Sequence, residues 1–510
     1  MNAEAAYLFR HALLRDAAYD IQLPSNRARL HALAFYLIEQ AFGGRAPEPP
    51  ALDNPEPPAW TRHETDAIAA ELAHQAGLGQ AVDATLGAAH VRYTYRAAEY
   101  ADRAYHTEAA IRLWKQLAAL TGGAQRAEAL KRAGTLERDQ GQSEAAELDL
   151  AESVKLHRQA ASEALLSMAL TALGNLLRLT GRSTQAESVF DEALAVALRC
   201  AHSRALVLVR SNVAILYRTT GRMSQAEQAY EHALQAYRSN GDVRGEGLVL
   251  GNLAVVYQET GRVDQAEQAL LAALRIHEQT GNRRAAAVLT SNLANMFHAS
   301  GRREQALETS ARALQQCREL GDQRSEAFAL ETRAVILAGV EDHAGAEQAH
   351  LRALEIAGEV GDRRLAGIIR SNLASVLVRT ERLEQARRAV DLAVEDSQAV
   401  GDRRGVGVAT GQRARILSLE GRFEEADAEY RRAIEINRQV QDIRFEALHM
   451  CDHGLCMLSL SRLDDARQSW RDGMRTLRSL RYAAEVESKL QAMLIACKAA
   501  GVPSLDAETP

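Results

Sequence analysis

Proline is almost missing from most of this chain. Only nine prolines occur in 510 residues, and six of them (Pro47, Pro49, Pro50, Pro55, Pro57 and Pro58) share one short segment. None falls between Ala59 and Val502. A stretch of that length built from Ala, Leu, Glu, Gln and Arg meets nothing that breaks a helix, and it reads as continuous helix and turn. That reading displaces the three or four globular domains that length alone would suggest at about 100 to 200 residues each. Cysteine is scarce too: Cys200, Cys317, Cys451, Cys456 and Cys497 are odd in number and scattered. They make no disulfide framework and read as reduced thiols. No run of about 18 apolar residues is available to span a bilayer. The opening MNAEAAYLFRHALLRDAAYD also lacks the basic start and apolar core of a secretory signal. A cytoplasmic location, away from membranes, is expected. Aromatics make up 5% of the chain and the net charge is -6, whereas a nucleic-acid surface calls for a basic stripe with stacking rings. Nucleic acid is not an expected partner.

What is present is a period. Alanine recurs at Ala146, Ala186, Ala226, Ala266, Ala306, Ala346, Ala386, Ala426 and Ala466, nine positions whose numbers rise by 40 each time. Five positions before most of them stands a turn pair such as Gly221-Arg222 or Gly261-Arg262. A second turn lies halfway along the unit, as in Gly241-Asp242 and Gly281-Asn282. Two turns per period mean two helices per unit. Glycine takes the left-handed position that ends one helix, and the following Asp or Asn caps the next. Thr184 with Glu187, Ser224 with Glu227, and Asp264 with Glu267 have capping-box spacing and place the start of the second helix nearby. Ala226, Ala229, Tyr230, Ala233, Leu234 and Tyr237 lie on one stripe of that second helix. Leu206, Val209, Val213, Ala214 and Tyr217 form the stripe of the first, and small residues such as Ala214 and Ala233 stand where the backbones approach closely.

The residues Ser211, Asn212, Ala214, Tyr217, Gly221, Arg222, Ala226, Glu227, Tyr230, Ala233 and Leu234 resemble a tetratricopeptide repeat in a 40-residue form. The resemblance implies an all-α, right-handed helical-hairpin solenoid. The expected organisation is an N-terminal helical segment over 1–44, a proline-rich extended linker over 45–60, and irregular helical hairpins over 61–124. Nine repeats follow over 125–500, ended by a capping helix over Ala484 to Ala500, and then a tail over 501–510. Glu341 and Glu381 replace the turn glycine, while Arg333, Arg413 and His453 replace a core leucine. Looser packing is expected in those units.

By analogy with the family, the first helices line a concave groove through Ser211, Ile215 and Arg218; Gly251, Val255 and Gln258; Ser291, Asn295 and His298; Glu331 and Val335; and Ser371 and Ser375. Its mix of small, apolar and polar groups suits a protein or peptide. Asn212, Asn252, Asn292 and Asn372 form a ladder beside it, similar to the asparagine series of kinesin light chains, whose carboxamides satisfy a peptide backbone. Each Asn could equally bond the turn of a neighbouring repeat. His449, Cys451, His453 and Cys456 have metal-like spacing, but a fourth ligand on the same face is missing and the register makes His453 a core residue. Neither metal nor cofactor is expected, and no nucleophile elbow, zincin or dinucleotide motif suggests an enzyme.

Tyr7 to His31 resembles the piece that joins the ATPase module to helical repeats in large bacterial signalling ATPases, including cyclase-fused and maltose-regulator-like activators. That resemblance implies a winged-helix or hinge remnant. None of the five lysines follows a glycine, however, so the chain contains no phosphate-binding loop. The expectation is a non-enzymatic interaction scaffold, the sensor or docking part of a bacterial regulator whose ATPase or cyclase module is separate. The alternative is a receptor for a small molecule or short peptide that changes the superhelix.

Overall fold

The computed structural model describes Tyr19, Ile21–Ala104, His106–Leu480 and Ala483–Asp506. Among these residues there are 23 α-helices and no strand. Most of Tyr7 to His31, the segment resembling the post-ATPase region, lies outside the described residues. The chain divides into two compact units.

Unit 1 takes in the described residues up to Glu137, together with Glu144–Ala169. Its first four helices are α1 (Pro24–Ala41), α2 (Ala69–Gly79), α3 (Leu86–Arg103) and α4 (Thr107–Leu120). Their core gathers Phe35, Leu72, Leu86, Tyr93 and Trp114, and Ala46 and Leu52 of the proline-rich segment join it. That segment is therefore a strap over α3, not a free spacer. Its backbone is irregular because proline supplies no N–H, and the carbonyls left over serve a buried cation. Arg96 donates to Pro47 O at 3.0 Å, to Thr61 O at 2.8 Å and to Asp66 Oδ1 at 2.7 Å. The strap is pinned again where Ala46 N donates to the Tyr93 hydroxyl, which donates in turn to Glu39 Oε1 at 2.8 Å.

From Gly123 onward the helices fall into nine pairs whose starting positions keep the period of the sequence. These are α5 (Gly123–Asp139) with α6 (Ser143–Gln159), α7 (Glu163–Leu179) with α8 (Ser183–Arg199), and α9 (Ser203–Thr219) with α10 (Met223–Ser239). Then come α11 (Val243–Glu259) with α12 (Val263–Gln279), α13 (Arg283–Ala299) with α14 (Arg303–Leu320), and α15 (Gln323–Gly339) with α16 (His343–Glu359). The last are α17 (Arg363–Arg379) with α18 (Leu383–Ala399), α19 (Arg403–Leu419) with α20 (Phe423–Gln439), and α21 (Ile443–Ser459) with α22 (Leu463–Ser479), followed by α23 (Ala483–Ala500). Unit 2 holds Arg138–Ser143 and everything from Leu170 onward.

The turns explain the regularity. Gly221 stands at φ 74° and Arg222 N returns to Tyr217 O at 2.8 Å, which closes α9 with a left-handed cap. At the other turn Gly241 has φ 66° and Asp242 Oδ1 accepts from Gly245 N at 2.9 Å, capping α11. The expected capping boxes are not formed. The second helices begin two positions earlier than those boxes require, at N-caps Arg182, Arg222 and Arg262 with no side-chain cap bond. Glu187, Glu227 and Glu267 instead accept from Arg222, Arg262 and Arg302 of the next repeat at 2.7, 2.7 and 2.6 Å. An arginine fork in reach offers a carboxylate two charge-assisted bonds, more than one backbone N–H supplies. Where glycine is replaced the backbone keeps its course, with Glu341 at φ 69° and Glu381 at φ 59°. The polar residues in core register also find partners: Arg413 meets Glu429 at 2.5 Å, and His453 meets Asp427 at 2.7 Å. These polar contacts stand in place of the apolar one, where looser packing was expected.

The core of unit 2 runs through consecutive pairs: Ala214, Tyr230, Ala233, Leu253, Ala266, Leu270, Leu293 and Met296 belong to one continuous cluster. Burying a side chain such as Tyr230 contributes roughly 1.5 to 3 kcal/mol. Ala226 is fully buried and Gln228 exposed. Ala226→Leu should therefore cost about 1 to 3 kcal/mol by overpacking, and Gln228→Ala close to nothing, as read from denaturant unfolding. Glu381→Gly should raise stability by about 1 kcal/mol in the same measurement, because only glycine holds that φ without steric cost.

Candidate functional site

The first helices carry the predicted contact residues in two different settings. Asn212, Ile215 and Arg218 of α9, Asn252, Val255 and Gln258 of α11, Asn292, Asn295 and His298 of α13, and Asn372 of α17 are all half-buried. Within each helix they stand three positions apart, on one stripe. Ser211 is different. It is only 6% exposed, and Ser291 at the same register is fully buried. Gly251 stands at that register as well, and a Cβ there would come within 2.8 Å of Leu289. One step along a helix turns a side chain by about 100°, which carries this column away from the stripe and into the packing. Ser211 is thus corrected from a groove residue to a core residue, and Gly251, Ser291 and Glu331 go with it.

The asparagine ladder splits into two kinds. Asn212 Oδ1 accepts from Asn175 Nδ2 at 2.7 Å, and Asn372 Nδ2 donates to Glu331 Oε1 at 2.6 Å, so each ties its repeat to the preceding one. Glu331 is 5% exposed, and its other oxygen lies 2.8 Å from His350 Nδ1. Asn252 and Asn292, the middle pair, make no side-chain hydrogen bond with the described residues. Beside them the His298 ring lies over Gly339 of α15, where any Cβ would strike it at 2.0 Å. Burial, and then the charge of Arg303, lowers the pKa of His298 and favours its neutral ring. At the other end of the stripe Arg218 pairs with Glu259 at 3.0 Å. Half-buried carboxamides, a neutral imidazole and Gln258 can both donate and accept, as an extended backbone requires.

The metal-like quartet does not converge. His449 Nδ1 meets Asn437 Nδ2 at 3.2 Å, His453 turns to Asp427, Cys451 is buried in the core of α21 and α22, and Cys456 donates to Phe423 O at 3.4 Å. Burial pushes the Cys451 thiol up to about 12 and His449 down to about 4, so both are neutral at pH 7.

Two features lay outside the sequence reading. Arg284, Arg324, Arg364 and Arg404 recur once per period and reach Asp322, Asp362, Asp402 and Asp442 at 2.7, 2.7, 3.5 and 2.5 Å. Their signal, a second arginine column in the same period, was available in the sequence. The other feature was not. Ser143 Oγ donates to Val400 O at 3.0 Å and Ser183 Oγ to Val440 O at 3.2 Å, each across 257 residues. A little more than six periods thus bring unit 2 back onto itself, turn against turn.

A tetratricopeptide repeat family model matches residues 165–239, 245–319, 284–359 and 365–439, more than half of the chain. The chain belongs to the tetratricopeptide repeat family. Such repeats make it a helical-hairpin scaffold for protein–protein interaction. A comparison with curated proteins found no match. Among solved structures, BtubC (BKLC) of P. vanneervenii is similar at 23% identity over 42% of this chain and 90% of its own, with TM-score 0.37. A Rap protein complexed with competence and sporulation factor is similar at 14% identity over 76% and 98%, with TM-score 0.48. Kinesin-light-chain-type repeats of Podospora anserina are similar at 15% identity over 39% and 97%, with TM-score 0.33. No helix among the described residues is long and apolar enough to cross a membrane.

In this tetratricopeptide solenoid Asn372 has a structural load that Asn252 lacks. Asn372→Ala leaves a buried Glu331 oxygen unpaired and should lower stability by about 1 to 3 kcal/mol, measured as a fall in the denaturant midpoint at unchanged slope.

Proposed function

We propose that the groove of unit 2 holds an extended peptide segment of a protein partner, and that Asn252 and Asn292 read its backbone. One observation carries this reading. Two carboxamides at the same register, one period apart, are half-buried and hydrogen-bonded to none of the described residues, although their counterparts Asn212 and Asn372 are engaged. Each can present one N–H and one C=O to a passing strand, and Ile215, Val255, Gln258, Asn295 and His298 flank them with apolar and polar surface. The scaffold so formed would be the sensor or docking part of a bacterial signal-transduction or transcription regulator, non-enzymatic and cytoplasmic. A separate ATPase or cyclase module would then supply the output. The resemblance of Tyr7 to His31 to the post-ATPase hinge supports that placement.

A second reading has its own support. The inter-turn bonds of Ser143 and Ser183 are few and end on single carbonyls, so a small molecule or short peptide that bound between turns could alter the pitch of the coil at modest cost.

The test of the first reading is the double variant Asn252→Ala/Asn292→Ala. Its melting temperature should stay within about 1 °C of the parent, because solvated groups without partners contribute little to folding. Capture of the native partner from cytoplasmic extract, quantified by surface plasmon resonance once the partner is isolated, should weaken by about tenfold or more. Unchanged affinity in a fully folded double variant would remove the asparagines from the groove.

A further inference from the structure

A row of apolar side chains runs beside the asparagine ladder. Leu208, Leu248, Val288, Phe328, Ile368 and Val408 stand one period apart, each four positions before the polar residue of the ladder register and so on the same stripe of its first helix. An apolar residue in six consecutive repeats is the pattern of a core position, yet none of the six is buried. Leu208 is 38% exposed, Leu248 54% and Ile368 49%, and the other three are half-buried. At the next repeat Leu448 packs against the core of α21 and α22, which ends the row. Single exposed leucines need no explanation, but a contiguous row marks a surface that something covers. The ladder register also continues beyond Asn372 to Gln412, whose Oε1 has no donor.

The step of the row selects the conformation of its cover. First helices from α13 to α21 touch their neighbours directly, and packed helix axes lie about 8 to 10 Å apart. The row therefore offers one apolar contact per step of that length. A β-strand rises about 3.3 Å per residue and alternates its faces, so its side chains return to one face after about 7 or 13 Å and miss the step. A polyproline II segment has about three residues per turn and a rise of about 3.1 Å, so every third side chain returns after about 9 Å. An α-helix returns after two turns, about 11 Å, but its backbone is already bonded to itself. The polyproline II backbone has no internal hydrogen bonds, and Asn252 and Asn292 can satisfy it.

Charge narrows the occupant further. Arg178, Arg379 and Arg415 lie on the same stripes: Asn175, three positions before Arg178, hydrogen-bonds Asn212 at 2.7 Å, and Arg379 and Arg415 follow Asn372 and Gln412 by seven and three positions. Among the described residues none of the three has a carboxylate partner. Arg379 donates to Ala338 O at 3.5 Å, and Arg178 Nε has no acceptor. The acids of these stripes, Glu259 and Asp452, are held by Arg218 and Lys489. In a chain of net charge -6, the charges left unpaired here are positive.

We propose that the groove takes an acidic segment in polyproline II conformation, with an apolar side chain at every third residue seated on the row from Leu208 to Val408. Six such contacts occupy about sixteen residues of the partner. The inference rests on the reading of the groove as a peptide site and adds the pattern of the peptide.

The experiment measures binding of fluorescein-labelled synthetic peptides to the full chain by fluorescence anisotropy. A repeated Leu-Asp-Ser peptide should bind about tenfold or more tightly than a scramble that places the same leucines at alternate positions, and than a Leu-Lys-Ser counterpart. A Leu-Asp-Pro version should bind at least as well as Leu-Asp-Ser, because proline presets the conformation and forbids a helix. Leu248→Ser/Ile368→Ser changes exposed side chains, so its melting temperature should stay within about 1 °C of the parent while Leu-Asp-Ser affinity falls about tenfold or more. Leu392→Ser on α18, 46% exposed and outside the row, should keep the parent affinity. The proposal is overturned if no peptide binds, if the two leucine spacings bind alike, if lysine serves as well as aspartate, or if proline abolishes binding. It is overturned equally if the folded Leu248→Ser/Ile368→Ser variant binds as the parent does. In that case a loss of the native partner by Asn252→Ala/Asn292→Ala leaves the peptide groove standing without the row. Loss of Leu-Asp-Ser binding by the leucine variant alone supports the row and removes the asparagines.

Discussion

The close approach of two helix backbones within each pair is the constraint on which the solenoid rests. Nine alanines, one per period from Ala146 to Ala466, are all at 0% exposure. Opposite them on the first helices stands a second small-residue column that includes Gly134, Gly174, Ala214, Ala254, Ala294 and Gly454. At Gly454 a Cβ would come within 2.9 Å of Ala466 O, so there the backbones themselves are in contact. Packing at that distance leaves larger residues such as Tyr230 and Trp470 to fill the space between pairs. With helices of nearly equal length joined by equally short turns, the geometry repeats without drift.

Coupling between pairs is a different matter, carried by charge as well as by apolar contact. Arg222, Arg262 and Arg302 each lie over the ring that ends the preceding helix, at 4.4, 4.5 and 4.2 Å from Tyr217, Tyr257 and Phe297, while reaching a glutamate in the previous repeat. Exposed pairs of this kind contribute roughly 0 to 1 kcal/mol each, but here the same pair recurs along the stack. In a solenoid, stability adds up from such nearest-neighbour terms.

Sequence alone determined the period, the two helices per unit, the side of each helix that is buried and the positions of the turns. All of these follow from interactions within a single repeat unit: a left-handed glycine, an Asp cap such as Asp242, and alanines at fixed register. It also put Asn212, Ile215 and Arg218 and their counterparts up to His298 on one stripe of each first helix, because helical spacing places those residues together. Ser211 was misassigned, since one step of helical rotation separates groove from core and the repeat motif does not state which side of a column meets the neighbouring pair. The fate of Glu187, Glu227 and Glu267 likewise depended on an arginine in the next repeat that outbid a local backbone N–H. Only tertiary structure could divide the asparagine ladder, because Asn372 is engaged by Glu331 of the preceding repeat, at a register where Ser211, Gly251 and Ser291 stand in the repeats before it. The proline-rich strap over Arg96 and the return of the coil at Val400 and Val440 were beyond any local rule. They depend on which distant carbonyls happen to be unpaired and on small rotations between pairs that accumulate over more than six repeats, quantities that no single repeat encodes.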